Sequence, residues 1–270
     1  MDRITASQSI ERVMMVIDLV AEHGKGGCRL SDVVAGTPLG KATAHRFLRD
    51  LVAVGLLDYD AESGRYFLGI RLVALGEAAA NRYGVASLAR NILDELAAET
   101  DDTIYLTLRS GDDANCIARV EGSYPVKILT LKIGDRRPLG VGAGPLAILM
   151  ACEASERAAI LNRNAPRYQD FGLNPAAVEE MLKDSLARGY ALNLGRMVPD
   201  MAGLGVPLRD QSGQVFGALS IAAVASRMQP ERLEALKLRL SRAAKDIEEV
   251  AGPLLGRGIP GERRLKVLQG

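Results

Sequence analysis

The sequence predicts an α+β chain in two parts: a winged helix-turn-helix, then a larger mixed α/β region, joined by a helix. Three observations predict this. Residues 9–69 carry three amphipathic helical stretches followed by two short strands around a polar tip. Residues 70–83 form a further Ala- and Leu-rich helical stretch that stops before Gly84. From Val85 to Pro253, strands and helices come in groups rather than in strict alternation. That grouping favours an antiparallel sheet with helices on its faces.

The elements follow in order. From Ser9 to Ala21, Ile10, Val13, Met14, Ile17 and Val20 recur at helical spacing. Ser7 or Ser9 is the expected cap, and Gly24, Gly26 and Gly27 end the helix. Ser31 is the expected cap of a short second helix carrying Val33 and Val34. Thr37-Pro38-Leu39-Gly40 is a turn, because Pro and Gly both interrupt helical periodicity. A third helix spans about Lys41 to Val54, with Ala44, Phe47, Leu48 and Leu51 as its apolar stripe. Leu56-Leu57 opens a strand, Asp60 to Gly64 is a hairpin tip, and Arg65 to Leu68 returns.

The joining helix, residues 70–84 with its terminal Gly, aligns Leu72, Leu75 and Ala79 as a dimer seam. Beyond it, Leu88 to Glu99 reads as an amphipathic helix, and Thr103 to Leu108 as a half-buried strand by alternation. Further strands are expected at Cys116–Val120 and Val126–Ile133. Helices follow at Ala143–Ala151, Ser155–Asn162 and Pro175–Arg188. Strands resume near Tyr190, at Gly203–Leu208 and at Val215–Ala223. The last helix carries Leu233, Leu236, Leu240, Ala244, Ile247 and Val250 on one face. Domain limits read as 1–69, 70–84 and 85–253, with 254–270 as a disordered tail.

Composition narrows the function classes. Apolar residues make up 48% and charged residues 25%, with a formal net charge of +1, so no polyanion partner is signalled by charge alone. Residues 1–69 hold eight Lys/Arg and nine Asp/Glu, so any nucleic-acid surface depends on where the cations sit. Cys28, Cys116 and Cys152 are widely separated, odd in number and without metal-ligand spacing, which points to reduced thiols in the cytoplasm. No signal peptide or bilayer-length apolar run is apparent.

The third helix has the chemistry of a major-groove reader. Lys41, Ala42, His45, Arg46 and Arg49 fall opposite its apolar stripe. Ala42 and Thr43 are small enough for close approach, and the Thr43 methyl suits a thymine methyl. Arg46 and Arg49 reach guanine or phosphate, and His45 donates or accepts according to tautomer. Arg65 in the wing adds a backbone or minor-groove contact.

Those residues carry a specific resemblance. Ser9-Ile10-Glu11-Arg12, Leu30-Ser31-Asp32-Val33, Lys41-Ala42-Thr43-Ala44-His45-Arg46-Phe47-Leu48 and Gly64-Arg65-Tyr66-Phe67-Leu68-Gly69 resemble the IclR family of bacterial transcriptional regulators. So do Gly134 to Leu139, Arg188-Gly189-Tyr190, Gly205-Val206-Pro207-Leu208 and Ala218-Leu219-Ser220. The resemblance implies a winged helix and a GAF-like effector-binding domain. It implies a homodimer or dimer of dimers on a palindromic double-stranded DNA operator.

Carried over by position, it places Ala143, Gly144, Asn193, Gly203, Ser220 and Ala222 at an effector pocket. Leu139, Met197, Met201 and Leu204 are weaker additions. The chain departs from the family where Gly203 stands for a common cysteine, Ala222 for a serine, Asn193 for an acidic residue and Pro145-Leu146 for Gly-Lys. The pocket is therefore expected to be less polar than in relatives that take small oxo-acids. An aromatic or other carbon-source intermediate is the expected effector.

Catalysis finds little support. Both histidines, His23 and His45, precede the second part, leaving it without an imidazole. No metal, cofactor or nucleotide motif appears. Asp101-Asp102 and Asp112-Asp113 read as solvated turn residues. Cys116 and Cys152 read as buried rather than nucleophilic. Two alternatives to a ligand-modulated regulator stay open: an enzyme with an accessory winged helix, and a winged helix used for protein contacts.

Overall fold

The computed structural model describes residues 8–76 and 84–255. The chain divides into two compact units, residues 1–82 and 83–270.

In the first unit, α1 spans Gln8–His23, α2 Leu30–Gly36 and α3 Lys41–Ala53, followed by β1 Leu57–Asp60 and β2 Arg65–Leu68. The two strands pair antiparallel from Leu57↔Leu68 to Asp60↔Arg65. The buried set is Val16, Val20, Cys28, Val33, Leu39, Ala44, Leu48, Leu51 and Leu57. Two expectations are corrected here. In α1 the buried residues are Val16 and Val20, whereas Ile10 and Met14 are 59% and 46% exposed. The helix is apolar on more than one side, so its spacing fits two neighbouring stripes. At α2 the cap is Arg29, not Ser31: Asp32 Oδ2 accepts from the Arg29 N–H at 2.7 Å. That carboxylate also suits the positive helix N-terminus. Ser7 and Ala79 lie outside the described residues, and helical structure is described over residues 71–76.

The second unit opens with α4 (Val85–Leu88) and α5 (Arg90–Thr100). Strands β3 (Thr103–Ser110), β4 (Asp113–Val120) and β5 (Arg136–Pro138) follow. Next come α6 (Ala143–Ala151), α7 (Ala154–Asn164) and α8 (Pro175–Arg188). Then come β6 (Ala191–Leu194), β7 (Met201–Arg209), β8 (Val215–Val224) and α9 (Pro230–Leu255). The strands form one sheet in the order β5-β4-β3-β8-β7-β6, every pair antiparallel. Helices α5 and α9 pack on one face, against Ile104, Leu106, Leu219 and Ile221. Helices α6 and α8 belong to the other core, with Ala114, Ala191, Val215 and Ala218.

This two-sided cover explains why Thr103 to Thr107 is buried throughout rather than half-buried. A central strand covered on both faces loses the polar alternation of a one-sided sheet. The expected strand at Val126–Ile133 is irregular chain, and the edge strand is the three-residue β5. Side chains occupy the carbonyls a ladder would need: Tyr105 Oη donates to Ile128 O, Arg119 to Leu131 O at 3.1 Å, and Arg137 to Thr130 O.

The adjacent carboxylates are also corrected. Asp102 is 4% exposed and bound by Arg227 at 2.9 Å and Arg232 at 2.7 Å. Asp113 is 3% exposed and paired with Arg136 and Arg167, while Asp112 receives a two-pronged contact from Arg163. They tie loops and helices to the sheet instead of facing water. Asp101 caps α5 in the left-handed conformation. Helix α9 continues through Pro253 to Leu255, past the expected domain limit, and Val250 on it is 44% exposed.

Candidate nucleic-acid interface and ligand cavity

Helix α3 begins after Gly40, whose extended backbone lets Ala44 N–H reach its carbonyl at 2.9 Å. Ala44, Leu48 and Leu51 face inward, and this fixes the opposite side as solvent-facing. Lys41, Ala42, His45, Arg46 and Arg49 are exposed there, and Thr43 is half-buried at the margin. Phe47 is half-buried rather than fully enclosed, with the Arg46 guanidinium 5.6 Å from its ring centre. Arg49 meets Asp50 at 3.3 Å, an exposed pair that is easily exchanged for a phosphate. Arg65 departs from this surface. Its Nη1 donates to Gly26 O at 2.7 Å and Gly27 O at 3.0 Å, fastening the wing to the loop after α1. At the wing tip Asp60 accepts from Ser63 Oγ at 2.6 Å and from the Glu62 N–H at 3.0 Å, and these bonds hold its carboxyl below the usual range.

The second unit holds a cavity, open to solvent, at the N-terminal end of α6. Sheet register builds its floor: Tyr105 pairs with Ser220, Ser220 with Gly205, Ala222 with Gly203 and Gly203 with Asn193. Small residues there let α6 approach the sheet. A Cβ on Gly205 would lie 2.4 Å from Ala143 O, so only glycine fits beneath the helix start. Gly142 precedes α6 at φ +92°, a conformation that L side chains rarely adopt. Tyr168 Oη donates to Leu139 O at 3.0 Å and pins the loop before it. Ala143 and Gly144 carry the first amides of α6, which no intrahelical carbonyl reaches.

Of the residues expected at an effector pocket, Ala143, Gly144, Asn193, Met197, Met201, Gly203, Ser220 and Ala222 line this cavity. Leu139 and Leu204 do not: both are fully buried, in the two separate cores on either face of the sheet. The Leu204 side chain points to the face of the sheet covered by α5 and α9, away from the cavity.

Sequence reasoning missed Tyr105, Thr130 and, above all, Arg137. Arg137 Nη2 donates to Thr130 O, its Nη1 stands 4.0 Å from Met197 Sδ, and its guanidinium lies 5.8 Å from the Phe171 ring centre. Burial pushes its pKa down, against the field of Asp135, and among the described residues no carboxylate forms an ion pair with it. The signal was the second arginine of Arg136-Arg137-Pro138. In β5, Arg136 is exposed and reaches Asp113, so Arg137 turns to the opposite side.

Cys116 and Cys152 are buried thiols, with Cys116 pushed up to about 11 chiefly by burial. No helix among the described residues is long and apolar enough to cross a membrane.

Comparison with known proteins agrees with this division of labour. Residues 9–61 match the IclR helix-turn-helix domain, and residues 77–249 match the bacterial transcriptional regulator IclR C-terminal domain. The HTH-type transcriptional regulator KipR of Bacillus subtilis is 27% identical over 248 residues, covering 91% of this chain and 98% of its own. XynR of Escherichia coli is 29% identical over 252 residues, covering 91% and 97%. An IclR transcriptional regulator from Alicyclobacillus acidocaldarius superposes with a TM-score of 0.72 at 24% identity, over 92% of this chain and all of that one. A homologue from Microbacterium hydrocarbonoxydans, complexed with 4-hydroxybenzoate, gives 0.71 at 22% identity over 90% and 98%. With a helix-turn-helix that exposes a cationic face and an α/β domain that carries an open cavity, this chain belongs to the IclR family of transcriptional regulators.

Proposed function

We propose that this regulator senses a carboxylate-bearing metabolite in the cavity at α6 and responds by changing how α3 holds its operator. The observation that carries the ligand's chemistry is Arg137, a half-buried cation at the cavity wall with no ion pair among the described residues. Removing a charge from water is costly unless it is paired, so an anion entering here gains a partner already in place. Next to the guanidinium, the free amides of Ala143 and Gly144 offer hydrogen bonds at a positive helix end. Tyr105, Ile128, Leu131, Val141 and Met201 supply the apolar walls for the ligand's body.

A single-ring or branched acid suits a lining of apolar walls with one guanidinium. The structural relative bound to 4-hydroxybenzoate makes aromatic carboxylates the first compounds to try. Calorimetric titration of benzoate derivatives, short oxo-acids and neutral alcohols tests the reading. Saturable binding of a carboxylate but not of the alcohol of the same skeleton supports it. Preference for the neutral compounds overturns it.

On the DNA side, Lys41, Ala42, Thr43, His45, Arg46 and Arg49 read the operator, and Arg65 positions the wing. Exposed Ile10, Met14, Met15, Ile70, Val73 and Leu75 give the first unit an apolar surface suited to a second copy. Two copies place recognition helices on half-sites about 34 Å apart or at a multiple of that distance. Both histidines lie in the first unit, and among the described residues the cavity lining holds no imidazole or carboxylate that would activate the hydroxyls of Tyr105, Thr130 or Ser220. We therefore read it as a sensor in a cytoplasmic, non-enzymatic protein.

A further inference from the structure

Folding brings together three metal-ligating side chains that are spread over ten residues of sequence. His23 ends α1, Cys28 follows the glycine loop, and Asp32 lies in the first turn of α2. One donor atom from each lies within 4.8 Å of the others, and His23 Nε2 is 3.9 Å from Asp32 Oδ2. In a tetrahedral zinc site with bonds of about 2.0–2.3 Å, donors are ~3.3–3.8 Å apart, so the three need to close by about 1 Å.

From this convergence we propose that His23, Cys28 and Asp32 form a site for a divalent transition ion of the zinc class in the DNA-binding unit.

The donors are prepared for it. His23 Nδ1 lies 2.9 Å from Leu19 O, and a carbonyl only accepts, so Nδ1 carries the proton and Nε2 presents its lone pair. A backbone carbonyl holding the other ring nitrogen is the usual outer support of a metal-bound histidine. Asp32 accepts from the Arg29 amide on Oδ2 and from the Ser31 hydroxyl on Oδ1, which hold its carboxyl below the usual range and leave lone pairs free. Cys28 is fully buried in a β-bridge to Tyr66, with amide bonds of 2.9 and 2.8 Å in the two directions. Burial and then the Asp32 carboxylate push the Cys28 thiol up to about 11, against the charge of Arg65 fixed on Gly26 O and Gly27 O, so the proton leaves only as the metal binds. Nitrogen, sulfur and carboxylate donors together select the zinc class over magnesium or calcium, which prefer oxygen. Thiolate and carboxylate neutralise the dication, and the exposed side of His23 leaves the fourth position to water. A bound ion would join the end of α1, the wing through Cys28 and the start of α2, the frame that presents α3.

The test uses untagged full-length protein, stripped with chelator and titrated with cobalt(II), then zinc(II). We expect one cobalt per chain with a thiolate charge-transfer band, displaced by zinc. The band persists in Cys152→Ser and disappears in Cys28→Ser. Because Cys28 is a core residue, His23→Gln at the exposed helix end provides the independent check. Its zinc affinity should fall by more than about 100-fold, beyond the 10–100-fold typical of losing an outer-shell partner. Absence of a thiolate band at equimolar cobalt overturns the site, as does unchanged zinc affinity in His23→Gln.

Discussion

In the function proposed above, helices α3 and α6 carry the two halves, and they differ in how each is written. Helix α3 buries Ala44, Leu48 and Leu51 and exposes its cations, so one 13-residue segment contains both the packing face and the reading face. Helix α6 buries Gly144 through Leu149 with no polar stripe. Its role lies at its N-terminal end, where Tyr105, Arg137, Asn193, Gly203 and Ser220 arrive from five strands. A surface that meets DNA is encoded locally by helical periodicity. A cavity is encoded by register between distant segments.

The largest expected effect breaks α3 as a scaffold. Leu48 is fully buried, and Leu48→Ala should destabilise the first unit by about 2–5 kcal/mol in a thermal or urea melt. Phe47→Ala should cost less, below the ~3–5 kcal/mol of a fully buried Phe, because Phe47 is only half-buried. Equal losses in the two variants would contradict the face assignment.

On the cavity side, Arg137→Gln should weaken a carboxylate effector by roughly 10–100-fold, about 1.5–3 kcal/mol for a charge-assisted bond. Operator affinity without ligand should not change. Calorimetry on the variant checks the first statement and DNA titration the second. If the variant binds the acid as tightly as the parent does, the anion sits elsewhere.

Arg46→Ala brings the comparison back to the surface. It should weaken operator binding by about 1–3 kcal/mol and leave the melting curve in place. A shift in melting without loss of affinity would turn α3 around. Ser220→Ala should have the smallest effect, about 0.5–1.5 kcal/mol in ligand affinity, visible as a displaced dose-response.

The same contrast explains what was legible in the sequence. The limits of α8, Pro175–Arg188, follow from its Pro and Gly boundaries, and the start of α6 follows from Gly142. The exposed face of α3 follows from spacing. In α1, apolar residues on several sides leave Val16 indistinguishable from its neighbours. The buried roles of Asp102 and Asp113 were hidden because their arginine partners lie 125–130 and 23–54 residues away. Arg137 was hidden for the same reason: it looks like a loop cation until β5 turns it beneath α6. The family resemblance supplied small lining residues such as Gly203 and Ser220; it also covered Gly134 to Leu139, but without assigning Arg137 to the pocket.

The most direct test of a cavity that governs α3 is fluorescence anisotropy on DNA upstream of this protein's own gene. It would be run at two salt concentrations against unrelated competitor, with and without a saturating carboxylate found by calorimetry. The account predicts competitor-resistant binding that weakens with salt. It also predicts that ligand changes the affinity by about 5–150-fold in the parent and not, at the same ligand concentration, in Arg137→Gln. Specific binding that is identical with and without bound ligand would contradict it.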